Sequence, residues 1–278
     1  MHNNDTVKKL NFRPFFHQFM VGLEDFKKLV LPGDIAHLID HTVLSPTASQ
    51  YDIAKLVREA REYNFASVCV NPTHVAYAVE QGGSDVLVAT VVGFPLGATT
   101  PESKAYEARQ ALESGATEID MVVNHASVQA HDADALHRDI VAVAEAVRDY
   151  SGTLKCIIEA GYHTPEQVAF ATGAVLRASE AVSGVHFMAK TSTGFAAPKL
   201  LVAKYDGTTA VGARPEDLNI MAQVLDGSSV GMKASGGVRT FDDACSVLYA
   251  MGARTKDDLA SQQYRIGASA GVQIVNQK

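Results

Sequence analysis

The sequence is poor in cysteine, carries no excess of positive charge and contains no long apolar run. Three cysteines occur in 278 residues, and no two of them form a C-x-x-C pair. This pattern argues against a disulfide scaffold and a thiolate zinc site, and it predicts a reducing, cytoplasmic location. The net charge of −7 leaves no basic field that would hold nucleic acid. We therefore expect no nucleic-acid partner, no membrane span and no metal or other cofactor.

Hydrophobic residues make up 47% of the chain, which is enough for a large core. A chain of this length fits one α/β barrel or two smaller domains. Eight short apolar runs, each typical of a buried parallel strand, alternate with helix-like stretches. These runs are Ala36–Leu44, Ser67–Asn71, Val86–Phe94, Glu118–Asn124, Leu154–Glu159, Val185–Lys190, Val230–Ser235 and Tyr264–Ala268.

Helix-start signals lie between the runs. Ser49 and Thr240 are typical N-cap residues, and Thr100, Thr164 and Arg214 each precede a Pro-Glu pair that opens a helix. Eight β-then-α units in one chain predict an α/β fold of the (β/α)₈ TIM-barrel type. A doubly wound open sheet is the alternative, but no G-x-G-x-x-G follows the first run to favour it.

An N-terminal helical extension, residues 1–33, precedes the predicted barrel domain, residues 34–278. Apolar residues in the extension roughly follow one helical face, and Pro32-Gly33 closes the segment. These apolar residues are Phe12, Phe15, Phe16, Phe19, Met20, Leu23 and Phe26. We expect the face to pack across a barrel end or against a second subunit, so a homodimer is one assembly that it could form.

Polar residues gather where the predicted strands end, which is where barrel enzymes build their active sites. The sixth run ends in Lys190, and Thr191, Ser192, Thr193 and Gly194 follow it. The small side chains leave room for a ligand beside the amine, and the glycine permits a sharp turn. Taken alone, such a lysine more often extends to the surface beside a polar turn.

A second lysine, Lys233, lies in the seventh run, and Asp120 lies in the fourth. Free lysine is almost wholly protonated at neutral pH because its pKa is about 10.4. A neighbouring cation and partial burial lower that pKa and make the amine nucleophilic. We predict that Lys190 is a Schiff-base nucleophile, that Lys233 perturbs it, and that Asp120 holds Lys233 and relays protons. The alternative for Lys233 and Asp120 is a structural salt bridge.

Two glycine-rich segments follow the seventh and eighth runs, and each leads into a helix. Backbone N–H groups in such segments bind phosphate, which barrels often hold in their last two units. With a glycine from the sixth unit, the predicted phosphate-binding residues are Gly194, Gly236, Gly237, Arg239, Gly267 and Ser269.

Six motifs, spread over about residues 35–271, together resemble those of the deoxyribose-phosphate aldolases, a class I, metal-independent family. They are Ile39-Asp40-His41-Thr42-Val43-Leu44, Ser67-Val68-Cys69-Val70-Asn71-Pro72, Val92-Gly93-Phe94-Pro95-Leu96-Gly97, Glu118-Ile119-Asp120-Met121-Val122-Val123-Asn124, Lys190-Thr191-Ser192-Thr193-Gly194-Phe195 and Lys233-Ala234-Ser235-Gly236-Gly237-Val238-Arg239-Thr240. The resemblance implies reversible cleavage of 2-deoxy-D-ribose 5-phosphate to acetaldehyde and D-glyceraldehyde 3-phosphate. It also implies that the family's Schiff-base lysine, second lysine and proton-relay aspartate fall on Lys190, Lys233 and Asp120.

Substrate-binding positions follow from the same resemblance. They fall on Asp40, Thr42, Cys69, Thr191 and Ser192, although Cys69 taken alone is typical of a packed core residue. Two other functions stay open. One is a Schiff-base barrel aldolase that acts on another aldehyde or keto acid, and the other is a barrel that binds a sugar phosphate without turning it over.

The chain departs from the family pattern mainly near the expected phosphate. Ser45 stands where many members have lysine, and residues 196–212 replace a short glycine-rich turn, so Lys199 or Lys204 is expected to reach the ligand instead. The segment after the eighth run lacks a second serine, and the chain does not end on tyrosine.

These departures predict a weakened preference for the phosphorylated sugar and a greater tolerance of unphosphorylated aldehydes. The measurement is kcat/KM for 2-deoxyribose with and without its 5-phosphate. A very large preference for the phosphorylated sugar would contradict the prediction.

Overall fold

Parallel strands and helices alternate along the chain in the computed structural model, which describes residues 22–203, 207, 209 and 211–277. The strands are β1 (Ile39–Val43), β2 (Ser67–Val70), β3 (Val88–Val92), β4 (Glu118–Val122), β5 (Thr153–Ile157), β6 (His186–Lys190), β7 (Gly231–Ser235) and β8 (Tyr264–Ala268). Each strand agrees with its predicted run to within about three residues at either end, as pattern-based boundaries usually do.

The strands pair in chain order, every pair is parallel, and β8 pairs with β1 to close the sheet. The predicted TIM barrel is therefore confirmed, and the open sheet is excluded. Helices follow the strands and cover the outer face of the barrel. The helices are α1 (Leu23–Leu29), α2 (Pro32–Ile35), α3 (Gln50–Glu62), α4 (Val75–Gly82), α5 (Pro101–Glu113), α6 (His125–Gln129), α7 (Ala133–Arg148), α8 (Pro165–Ala181), α9 (Pro215–Leu225), α10 (Phe241–Met251) and α11 (Gly271–Asn276).

The helix starts confirm the predicted capping signals. The side-chain oxygens of Ser49, Thr100, Thr164 and Thr240 each accept a hydrogen bond from the backbone N–H three residues later. These bonds satisfy N–H groups that the helix itself leaves unpaired. At α9 the proline after Arg214 opens the helix without a side-chain cap.

Side chains on the strands alternate between two environments, as the period of an extended chain requires. On β4, Ile119 and Met121 pack in the main hydrophobic core between sheet and helices. Glu118 and Asp120, which alternate with them, point into the barrel, where they meet bases from other strands. The hydrophobic effect thus keeps Ile119 and Met121 on the outer face of the sheet. Because side chains alternate along a strand, Glu118 and Asp120 then point inward.

Of the predicted N-terminal extension, the structure describes Gly22 onward, and the apolar positions from Phe12 to Met20 lie outside the described residues. Helix α1 packs against α10, where Phe26 is fully buried and its ring centroid lies 6.0 Å from that of Tyr249. The division into an extension and a barrel domain stays a prediction. Among the described residues, no helix has the length and apolar character needed to cross a membrane.

Two glycines in the barrel allow a direct test of its packing. A Cβ at Gly231 would lie 2.4 Å from the Gln262 carbonyl oxygen, whereas a Cβ at Gly173 in α8 would meet nothing within 4 Å. We predict that Gly231→Ala destabilises the fold by about 1–3 kcal/mol or more. Gly173→Ala should stabilise it by about 0.5–1 kcal/mol, because alanine loses less backbone entropy in a helix. Urea unfolding of both variants measures the difference, and equal stabilities would contradict this account.

Candidate active site

A cavity of about 530 Å³ opens at the carboxyl ends of the strands. Its size is within the usual range for small-molecule sites. The lining comes from the segments after β1, β6, β7 and β8. Eight of the residues predicted to form the site lie on it, namely Thr42, Lys190, Gly194, Gly236, Gly237, Arg239, Gly267 and Ser269.

Lys190 forms the floor of this cavity at the end of β6. Its side chain is 4% exposed, and its Nζ donates to Asp120 Oδ2 at 2.7 Å. Lys233 is the register partner of Lys190 on β7, and its Nζ donates to the same oxygen at 2.8 Å. The structure therefore brings together the three residues predicted to carry the chemistry, and the two lysines stand on neighbouring strands.

A second ionic layer lies beneath this triad. Lys155 on β5 contacts Asp40 at 2.8 Å, Glu118 at 2.5 Å and Asp120 at 3.3 Å. Arg265 on β8 contacts Asp40 at 2.5 Å and Glu118 at 2.9 Å. Lys155, Glu118 and Arg265 were absent from the predicted set. The signal for them in the sequence is a charged residue within an apolar strand, at an inward position.

The pKa values of Lys190 and Lys233 shift in opposite directions. Burial lowers the pKa of Lys190, Asp120 opposes that effect, and the charge of Lys233 adds to it. Burial would also lower the pKa of Lys233, but Asp120 and Asp40 together raise it above the ordinary value. Of the two amines, Lys190 therefore gives up its proton at the lower pH. Burial lowers the pKa of Lys190 more than the charge of Lys233 does, and the assignment of Lys190 as nucleophile and Lys233 as perturbing cation stays a prediction.

The carboxylates remain ionised despite their burial. Desolvation alone would raise the pKa of Asp120, but Lys155, Lys190 and Lys233 hold it below its ordinary value. Desolvation acts on Asp40 in the same way, and Lys155, Lys233 and Arg265 hold its pKa well below the ordinary range. A carboxylate that touches several ammonium groups stays charged because each contact favours the ionised form.

The remaining residues predicted to bind substrate lie behind the cavity lining. Asp40 is fully buried, and Ser67 donates to its Oδ1 at 2.9 Å. Cys69 belongs to a small apolar cluster with Leu44, Ala89 and Val91, and burial raises the pKa of its thiol. The cluster forms an apolar side of the barrel interior opposite the charged strands.

Thr191 and Ser192 join the loop after β6 to the end of β7. The backbone N–H of Ser235 donates to Thr191 Oγ1 at 3.0 Å, and Ser235 Oγ donates to the Ser192 carbonyl at 2.5 Å. Beside them, Glu159 accepts hydrogen bonds from the hydroxyl and the backbone N–H of Thr193. These bonds fix the backbone that follows Lys190, so the amine has a rigid support.

The predicted phosphate segment after β7 contains consecutive glycines with positive φ, 82° at Gly236 and 84° at Gly237. The Cα of Gly212 packs on this turn, since a Cβ added to Gly236 would lie 2.8 Å from it. The Ala213 N–H donates to the Gly236 carbonyl at 2.9 Å. Lys199 is exposed and is not among the residues that line the cavity, and Lys204 lies outside the described residues.

Residues 35–277 match the model of the DeoC/LacD family aldolases. The chain is 46% identical over 213 residues to the deoxyribose-phosphate aldolase of Streptococcus gordonii, a match covering 76% of this chain and 87% of the relative. It is 45% identical over 244 residues to the deoxyribose-phosphate aldolase of Halalkalibacterium halodurans, covering 87% of this chain and 95% of that relative.

A solved structure gives the same likeness in three dimensions. The deoxyribose phosphate aldolase from Aeropyrum pernix, described as tetrameric, superposes with a TM-score of 0.72 at 29% sequence identity. The superposition covers 91% of this chain and 94% of that one.

The site geometry predicts the order in which lysines react. Because the pKa of Lys190 is lowered in the fold, its amine becomes nucleophilic at a lower pH than that of an exposed lysine. The measurement is competitive acylation with acetic anhydride over a pH series, followed by mass spectrometry. Lys155, which is fully buried and whose pKa is raised, should stay unmodified throughout. A Lys190 midpoint at or above that of the exposed lysines would contradict the prediction.

Proposed function

The chain belongs to the DeoC/LacD family of aldolases, and we propose that it cleaves 2-deoxy-D-ribose 5-phosphate reversibly to acetaldehyde and D-glyceraldehyde 3-phosphate, with Lys190 as the Schiff-base lysine. The observation that carries the proposal is the sharing of one Asp120 oxygen by Lys190 and Lys233 at 2.7 and 2.8 Å, in the buried floor of an open cavity. Of these two amines, Lys190 has the lowered pKa, with burial as the largest cause, whereas Asp120 and Asp40 raise the pKa of Lys233.

The first half of the reaction needs an unprotonated amine. Lys190 attacks the C1 aldehyde of the open-chain sugar to give a carbinolamine, and protonation of its hydroxyl followed by loss of water gives a protonated imine. The nitrogen of this imine is positive, and the Asp120 carboxylate already lies at hydrogen-bond distance from it. The carboxylate therefore stabilises the iminium that forms.

The second half of the reaction cleaves a carbon–carbon bond of the sugar. Loss of the proton from the 3-hydroxyl breaks the C2–C3 bond, whose electron pair moves into the iminium. The products are D-glyceraldehyde 3-phosphate and an enamine on Lys190. Protonation at C2 and hydrolysis of the imine release acetaldehyde and restore the amine. Asp120, held by Lys233, relays these protons through water.

The proposed phosphate site consists of the cavity-lining residues that follow β7 and β8. Gly236 and Gly237 supply backbone N–H groups on a turn in which both residues have positive φ, and such turns form concave anion sites. Arg239 and Ser269 lie on the same lining and add a charge and a hydroxyl. With the phosphate on this turn, the C1 end of the substrate would extend toward Lys190, which lines the same cavity.

Assembly and location are also proposals. A homodimer would cover the apolar residues of the N-terminal extension, and a cytoplasmic location agrees with three free, buried cysteines. Sedimentation at several protein concentrations tests the assembly.

Trapping with acetaldehyde and borohydride tests the function. We expect reduction to leave an N-ethyl group on Lys190, located by peptide mass spectrometry, because borohydride reduces the imine and makes it permanent. Lys190→Met should lose both the adduct and cleavage of 2-deoxyribose 5-phosphate. An enzyme that cleaves the sugar without an adduct at Lys190 would rule out this mechanism.

The control separates proton relay from imine formation. Asp120→Asn keeps the shape of the side chain and should still form the adduct, while kcat falls by about 10²- to 10⁴-fold. If neither the native chain nor this variant forms an adduct or cleaves 2-deoxyribose 5-phosphate, the alternative is favoured, namely a barrel that only binds a sugar phosphate.

A further inference from the structure

We propose that Lys155 is a positioning residue for catalysis, which keeps Lys190 uncharged by completing a set of buried charges inside the barrel. The inference rests on the proposed function, since it concerns the availability of the same amine. Lys155 is fully buried on β5, beneath the cavity, and is absent from its lining. It therefore acts through other residues and not on the substrate.

The buried charges of the barrel interior do not balance. Within the described part of the chain, the ion pairs of the barrel interior link four bases and three carboxylates. The bases are Lys155, Lys190, Lys233 and Arg265, and the carboxylates are Asp40, Glu118 and Asp120. With every group ionised, the network holds one positive charge too many. An uncompensated charge is costly in a buried site, so one base is favoured to lose its proton.

The contacts identify which base that is. Lys155 lies within 4 Å of three carboxylates, while Lys233 and Arg265 each contact two. Among the carboxylates that the structure describes, Lys190 forms an ion pair with Asp120 alone, and that carboxylate also faces Lys155 and Lys233. Lys190 thus has the weakest hold on its proton. The direction of the pKa shifts agrees, because it is raised for the other three bases and lowered for Lys190.

Lys155 is what makes the bases outnumber the carboxylates. Without it, three bases would face three carboxylates, and the balanced state would be the one in which Lys190 is protonated. Asp120 would then direct its charge to two ammonium groups in place of three, and its pull on the Lys190 proton would increase. Both effects act in the same direction, toward a charged and unreactive amine.

Three other titratable groups lie near the network, and none of them takes part in the ion pairs that define it. The Cys69 thiol on β2 stays neutral because burial raises its pKa, and burial lowers the pKa of His186 at the start of β6, so that ring also stays neutral. Glu159, two residues after β5, interacts electrostatically with Lys190, but its carboxylate is engaged by Thr193, and burial raises its pKa.

The experiment measures the pH midpoint of Lys190 acylation in Lys155→Met, which keeps the side-chain length and removes the charge. We expect the midpoint to rise by about one pH unit or more, so that labelling at pH 7 falls by about tenfold or more. The acid limb of the kcat/KM profile should move by the same amount. An unchanged midpoint in the folded variant would overturn the inference.

Compensating variants distinguish a charge effect from a packing effect. Glu118→Gln removes one carboxylate, so the Lys190 midpoint should fall. The double variant Lys155→Met/Glu118→Gln again has one base more than carboxylates, and its midpoint should return toward that of the native chain. A double variant that keeps the full Lys155→Met shift would overturn the inference. If Lys155→Met alone does not fold, the other two variants still decide it.

Lys104→Met is the matched control. Lys104 is also a fully buried lysine in an ion pair, with Asp139 at 2.8 Å, but it lies on α5 outside the barrel interior. We expect this variant to lose stability and to keep the native Lys190 midpoint. A shift as large as that of Lys155→Met would show that loss of any buried lysine has the same effect, and the inference would fail.

The readouts separate failure of the inference from failure of the proposed function. Acylation of Lys190 needs no turnover, so its midpoint remains measurable in a chain that does not cleave the sugar. Normal cleavage together with an unmoved midpoint counts against the role of Lys155 alone. A moved midpoint together with no cleavage by the native chain counts against the function alone.

Discussion

One carboxylate oxygen, Asp120 Oδ2, accepts hydrogen bonds from two buried lysines, and the geometry of the site depends on it. The three side chains come from β4, β6 and β7, and all three point inward because each strand is fixed by its outward apolar residues. A slip of one residue in the register of any of these strands would turn its charged side chain out of the barrel. The hydrophobic packing of the outer layer and the chemistry of the inner one are therefore set by the same register.

The barrel interior combines two environments. On the side of β2 and β3 it is apolar, with Cys69, Ala89 and Val91, whereas the other strands contribute seven charged side chains that pair with one another. Buried ion networks are rarely the most stable way to fill a core, since desolvation offsets much of the attraction between charges. In keeping with the role proposed for Lys155, we infer that they are retained because they set the protonation of the amine at the cavity floor.

The sequence alone predicted the barrel, its strands and the Lys190, Lys233 and Asp120 triad. Each of these rests on a local signal, either an apolar run or a charged residue near a strand end. Lys155 and Arg265 could not be placed in the same way. Their partners on β1 and β4 are remote in sequence, and the contacts exist only after the sheet closes between β8 and β1. Asp40 was expected at the ligand but lies one layer below Thr42, a difference of two positions along one strand.

The close packing of Gly212 on Gly236 has a consequence for how this barrel can diversify. The chain between β6 and α9 is anchored early, where the Ala197 N–H donates to Tyr162 Oη at 2.8 Å, and late, where Ala213 bonds to Gly236. The late anchor leaves no space for a side chain on either glycine. Insertions and deletions are therefore best tolerated after Val202, whose N–H donates to the Gly161 carbonyl at 2.9 Å, and before the late anchor. Changes of length confined to that interval would leave the paired strands and the ion network of the barrel interior unaltered.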